Sequence, residues 1–221
     1  MELSSIEIRV LGALMEKART TPDIYPLTLR ALVSACNQKT SRDPLTDYDE
    51  EDVLAALDSL REKHLAMRVD MAGSRTAKFR ENTSPQWNLE REEYALLATL
   101  LLRGPQTPGQ LRQRSERLFS FAELSQVSDW LKRMQEREEE PHTLVQSLGR
   151  EPGTKEIRYA HTLAPLPDPP SPGESPLPGE ESVRAPEPSP MRERIATLEA
   201  DVRILQDKVS NLESILNELT S

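Results

Sequence analysis

Ten of the 26 residues from Pro165 to Pro190 are proline, and none in that stretch is aromatic. Proline fixes φ and lacks a backbone donor, so a run of this kind can neither continue a helix nor fill the interior of a sheet. With little apolar surface to bury, it cannot offset the entropy of being ordered. The stretch therefore divides the chain. Any shared core must come from residues before 165, and residues after 190 need a packing partner of their own. Residues 165–190 are expected to be a disordered, extended tether, with a reach on the order of 80 Å at about 3.1 Å per residue.

Downstream of the tether the pattern is regular. Ile195, Val202, Val209 and Leu216 stand seven apart, and Leu198, Leu205, Leu212 and Leu219 follow each of them by three. A 3.5-residue repeat of apolar side chains on a helix makes a seam that needs a second helix. β-Branched residues at three of the four first positions, with leucine at every second one, favour a parallel pair. Residues 191–221 are accordingly expected to form a coiled-coil helix and a homodimer.

Upstream, the period of the apolar residues changes twice in the same way. Ser4-Ser5-Ile6-Glu7 is a capping box, and Ile6, Val10, Leu11, Leu14 and Met15 then line one helix face. Helices over 27–36 and 49–64 follow, the second opening on Asp49 to Asp52, where carboxylates complement the positive helix start. Met67, Val69 and Met71, then Ala77 and Phe79, alternate with polar residues around Gly73-Ser74, which is a hairpin pattern. The order recurs after residue 90. Leu96, Leu97, Leu100 and Leu101 mark one helix, and Thr107-Pro108-Gly109-Gln110 caps another. Ser120-Phe121-Ala122-Glu123 is expected to cap a third, with strands over 144–148 and 157–162 closing the unit. Helices followed by a two-stranded wing are the chain order of a winged helix, a relative of the helix-turn-helix. The fold class expected is mainly α with small β-hairpin wings: winged-helix domains over 1–89 and 90–164, the proline-rich linker, and the coil.

The net charge of −9 sits mostly in the tail. Residues 1–89 carry 12 basic and 14 acidic groups, residues 90–165 carry 11 and 12, and residues 166–221 carry 5 and 11. No apolar run is long enough to span a bilayer, and Met1 to Ser5 has neither a basic start nor an apolar core, so neither membrane nor signal peptide is expected. The single cysteine fits a reducing, cytoplasmic setting.

Four segments carry a family resemblance: Cys36 to Pro44, Gly73 to Phe79, Leu101 to Thr107, and Arg158 to His161. In that order, across about Leu3 to Leu163, the chain resembles the YceH-like bacterial proteins. The resemblance implies tandem winged-helix domains and a C-terminal leucine-rich helix, with no biochemical activity assigned. Phe79 stands where that family has tyrosine, and the proline-rich linker is particular to this sequence.

Little in the chain suggests catalysis. Cys36 ends an apolar helical stretch and reads as a small buried hydrophobe, and His64, His142 and His161 are isolated. No glycine-rich phosphate loop is present, so no enzyme, cofactor or metal is expected. For a nucleic acid or a protein partner the candidates are Asn37, Gln38, Lys39 and Arg42 in the first inter-helix loop, with Arg68, Lys78 and Arg80 on one outward hairpin face and Arg75 at its turn. Arg112, Arg114 and Arg117 add a basic helix surface. The loop amides also suit an internal role, satisfying backbone groups between helices. Against DNA stand the four acids that open the third helix. The two readings are a dimeric DNA-binding regulator and a protein-interaction module that contacts no nucleic acid.

Overall fold

In the computed structural model α1 (Ser5–Thr20) is packed on every side: Glu7 through Met15 are all buried. The capping box forms as expected, the Ser4 hydroxyl accepting from Glu7 N–H at 3.3 Å and the Glu7 carboxylate accepting from Ser4 N–H at 2.7 Å. The structure describes residues 2–70, 76–150 and 156–165. All belong to one unit, Met1–Pro169, while the other, Pro170–Ser221, lies outside the described residues. The linker and the seam from Ile195 to Leu219 therefore also lie outside them, as does Arg75.

After α1 come a 3-10 helix (Pro22–Ile24), β1 (Leu27–Thr28), α2 (Leu29–Cys36), α3 (Glu50–Glu62), β2 (Ala66–Val69) and β3 (Lys78–Glu81). The expected start of the second helix at residue 27 gives way to a strand, because Leu27 and Thr28 pair with Phe79 and Lys78. The sheet is antiparallel in the order β1-β3-β2. Next come α4 (Thr83–Trp87), α5 (Arg91–Arg103), α6 (Pro108–Ser115), α7 (Leu124–Gln135), β4 (Val145–Arg150) and β5 (Ile157–His161), the two strands pairing antiparallel. Seven α-helices and two small antiparallel sheets thus make up the described residues.

The short helix α4 had no periodic signal. Its place is set by Glu81, whose carboxylate accepts from Thr83 N–H at 2.6 Å, and by burial of Trp87. The cap of α7 lies three residues later than expected: Gln126 accepts from Ala122 N–H and Glu123 N–H, at 3.0 and 3.4 Å. Phe121 is buried, so Ser120 to Ala122 serve as an anchored connection.

The core centres on α1 against α5, whose residues Glu93 to Leu102 are also buried throughout. Gly12 allows the close approach: a Cβ there would stand 3.0 Å from Leu101 Cβ and from Leu102. The Tyr94 hydroxyl donates to Met15 O at 2.9 Å, Arg19 lies 4.8 Å over the Tyr94 ring, and Asp43 N–H donates to Leu102 O at 2.9 Å. Leu3 N–H donates to Leu163 O at 2.7 Å. Residues on both sides of position 90 share this core.

Candidate functional site

The loop after α2 is organised inward. Asn37 donates through Nδ2 to Tyr48 O at 2.7 Å, and its Oδ1 accepts from Tyr48 N–H at 3.0 Å and from the Thr46 hydroxyl at 3.3 Å. A primary amide held at both ends of one residue's backbone closes the loop as a neighbouring strand would. Asn37 is thus occupied by the chain itself.

Arg42 is the centre of the loop. Its side chain has no solvent exposure, and each of its N–H donors has an acceptor. Nε donates to Ala35 O at 3.0 Å, Nη1 to Glu16 Oε1 at 3.2 Å and Ser41 O at 3.0 Å, and Nη2 to Glu16 Oε2 at 2.6 Å and Gln38 Oε1 at 3.1 Å. The fork on Glu16 is bidentate, the geometry that suits guanidinium and carboxylate best. Burial works against a charged Glu16, but the Arg42 hydrogen bonds and charge outweigh it, so the carboxyl sits below its ordinary range. Arg42 is therefore unavailable to an outside partner, contrary to its expected role. Gln38 also accepts from Lys17 Nζ at 3.4 Å. Only Lys39 of this loop's candidates is exposed and free of hydrogen bonds and ion pairs among the described residues.

Arg9 was missed. It is buried in α1 and donates to Pro44 O at 2.5 Å and Cys36 O at 3.4 Å, so a second guanidinium braces the same loop. The sequence signal for it is a charge inside an otherwise apolar stretch. Cys36, beneath the loop, is fully buried, and burial pushes its thiol up to about 12 despite the nearby Arg42 and Arg9. A thiol in that state is not a nucleophile at neutral pH. Among the described residues no group of three or more His, Cys, Asp or Glu side chains is placed to hold a metal.

On the hairpin, register corrects one expectation. Arg68 stands opposite Phe79, Met67 opposite Arg80, and Val69 opposite Lys78. Directly opposed residues share a face, so Lys78 and Arg80 point one way while Arg68 belongs to the face of buried Phe79. Arg68 turns to Asp70, 3.0 Å away, and Arg80 lies against Met67 Sδ at 3.3 Å. Parity counted along the two strands missed this because the facing pairs are fixed by the turn.

The structure also assembles a group that sequence distance hides. Lys17 near the end of α1, Lys39, Arg103 at the end of α5, Arg114 in α6 and Arg117 just after it line a cleft of about 300 Å³ and the small recess beside it. Arg112, expected with them, instead holds the connection to α7, donating to Phe121 O at 3.1 Å and Ala122 O at 2.5 Å. Arg114 donates to Gln106. Burial first, then the charges of Arg114 and Arg42, make Arg103 less basic than an ordinary arginine.

With this arrangement in view, the similarity to other proteins is broad. Residues 3–154 match a family described as "Protein of unknown function, DUF480". The chain belongs to this family. UPF0502 proteins are its relatives: one from Geobacter metallireducens is 47% identical over 205 residues, covering 90% of this chain and 88% of that protein. One from Geobacter sulfurreducens is 42% identical over 224 residues, covering 99% and 97%, and one from Koribacter versatilis 46% over 197 residues, covering 89% and 87%. The resemblance drawn from the four motifs is borne out at the level of family. No helix among the described residues is long and apolar enough to cross a membrane.

Proposed function

We propose that this DUF480 protein is a non-enzymatic, cytoplasmic regulator built from tandem winged-helix domains, dimeric through its C-terminal heptads, which contacts duplex DNA through the β2–β3 hairpin. The observation that carries the reading is the pairing of Lys78 and Arg80 on one hairpin face, neither in an ion pair among the described residues. The start of α3 opposes ordinary groove docking, since Asp49, Glu50, Glu51 and Asp52 are all exposed and repel phosphates. Contact is therefore made by the wing and not by that helix.

The test is a fluorescence anisotropy titration of a random-sequence duplex with the full chain at low and physiological salt. Each phosphate neutralised lowers log K by about 0.9 per log unit of salt. Two cations from each of two chains give a slope of about −3.6, and changing Lys78 and Arg80 to alanine removes it. Absence of binding at low salt overturns the reading. A second reading, a protein-interaction module, is favoured by α3 itself: Leu54 is 40% exposed amid acidic neighbours, a surface suited to a basic protein partner.

A further inference from the structure

We infer that the cleft between the end of α1, the 38–41 loop and the end of α6 binds the phosphate group of a small phosphorylated ligand, with Lys17, Lys39, Arg103, Arg114 and Arg117 as its cations. The inference is independent of the DNA reading, which uses a different surface.

Charge supplies the first support. The cleft and its recess hold these five cations and a single carboxylate, Glu16. That carboxylate is already held by the two-point fork from buried Arg42. Lys17 is only loosely engaged, at 3.6 Å from Glu16 and 3.4 Å from Gln38. The side chains of Lys39, Arg103 and Arg117 form no hydrogen bond or ion pair among the described residues. Like charges in excess of their counter-charges repel one another, and the lowered basicity of Arg103, due first to burial and then to Arg114 and Arg42, is only partly offset by Glu16 and Asp43. A bound phosphate relieves the repulsion.

Shape and donors agree. A concavity of about 300 Å³ has room for a phosphate with a modest organic group. Thr40 and Ser41 line the same walls and supply hydroxyl donors suited to phosphate oxygens, whereas the hydroxyls of Thr20 and Thr21 already donate to Glu16 O and Lys17 O.

The opposing structural explanation is that these cations complement helix ends. Lys17, Arg103 and Arg114 do lie in the last turns of α1, α5 and α6. Each such end carries only about half a negative charge, so three ends balance about one and a half cations. Lys39 lies beyond α2, and Arg117 beyond α6. Neither of these two side chains forms an ion pair among the described residues.

The experiment follows thermal unfolding of the full chain in inorganic phosphate against chloride at constant ionic strength. Phosphate is expected to raise the Tm of the wild type and of a control, R30Q/R91Q, which removes two exposed charges elsewhere. In K39Q/R117Q, whose side chains are exposed and form no hydrogen bond or ion pair among the described residues, phosphate affinity is expected to fall at least about tenfold. No phosphate-specific rise in the wild type, or an equal rise in K39Q/R117Q, overturns the inference. A third arm adds a short duplex to phosphate-loaded protein carrying K78A/R80A. Displacement of phosphate there gives the cleft to a nucleic-acid backbone and overturns the small-ligand assignment; retention supports it.

Discussion

Arg42 carries a full positive charge into a site without solvent, and the cost of dehydrating it is met only because Glu16 and three carbonyl or amide oxygens surround it. Removing one member of such a pair leaves the other buried and uncompensated. Arg42→Ala is therefore expected to destabilise the protein by about 3–5 kcal/mol, read by chemical denaturation. The pair also sets an acid sensitivity. With its carboxyl held below the ordinary 4.5, folded Glu16 releases its proton more readily than it does in the unfolded chain. Its stabilisation is present above pH 4.5 and is lost as pH falls through the folded value. Glu16→Gln is expected to flatten that part of the stability profile, leaving the contribution of Glu7, also lowered, with Lys63 as its partner. An unchanged acid slope in Glu16→Gln would show that the pair is not what titrates. The sequence suggests an internal role for the loop amides, but not that the loop's arginine points inward. Glu16 and Arg42 are 26 residues apart, and no local spacing announces the contact.

Among the elements, α1 and α5 behave least as their patterns suggest. The sequence gives α1 one apolar face and marks α5 by four leucines, yet each is buried along nine or ten consecutive residues because each packs against the other as well as against its own neighbours. Gly12 sits at their crossing, which makes its substitution informative. Helix propensity alone favours Gly12→Ala by about 1 kcal/mol. The new Cβ meets Leu101 Cβ and Leu102 at 3.0 Å, and overpacking of a tight core costs about 1–3 kcal/mol. A net loss of up to about 2 kcal/mol is expected in thermal denaturation, whereas a gain would show that α1 and α5 are free to separate slightly. Caps were easier to read than faces. The Ser4 and Thr107 boxes form where local spacing puts them, with Thr107 N–H donating to Gln110 Oε1 at 3.0 Å. The third box moved to Glu123 because burial of Phe121 fixes the preceding residues. The hairpin likewise formed as expected while its facing pairs did not, since register depends on the turn and on β1 joining from the other side.

For the whole molecule, the proposed self-association rests on the heptads of residues 195–219, in which all eight seam positions are apolar. Sedimentation of the full chain is expected to give twice the 25.0 kDa chain mass, and Leu205→Asp with Leu212→Asp to give the monomer. A wild type that sediments as a monomer removes self-pairing from the proposal. What the sequence by itself determined among the described residues were features of short range: the helix starts at Ser4, Asp49 and Thr107 and the change of period at the hairpins. Each depends on residues within a turn or two of one another. The tertiary structure alone decided which charges are sealed and which are offered. Arg42 and Arg9 went inward, Arg68 turned to Asp70, and Lys17, Lys39, Arg103, Arg114 and Arg117 came together from four separate segments. A charged side chain is placed by where its counter-charge lies in space, and the packing of α1 on α5 brings those partners together from distant parts of the chain.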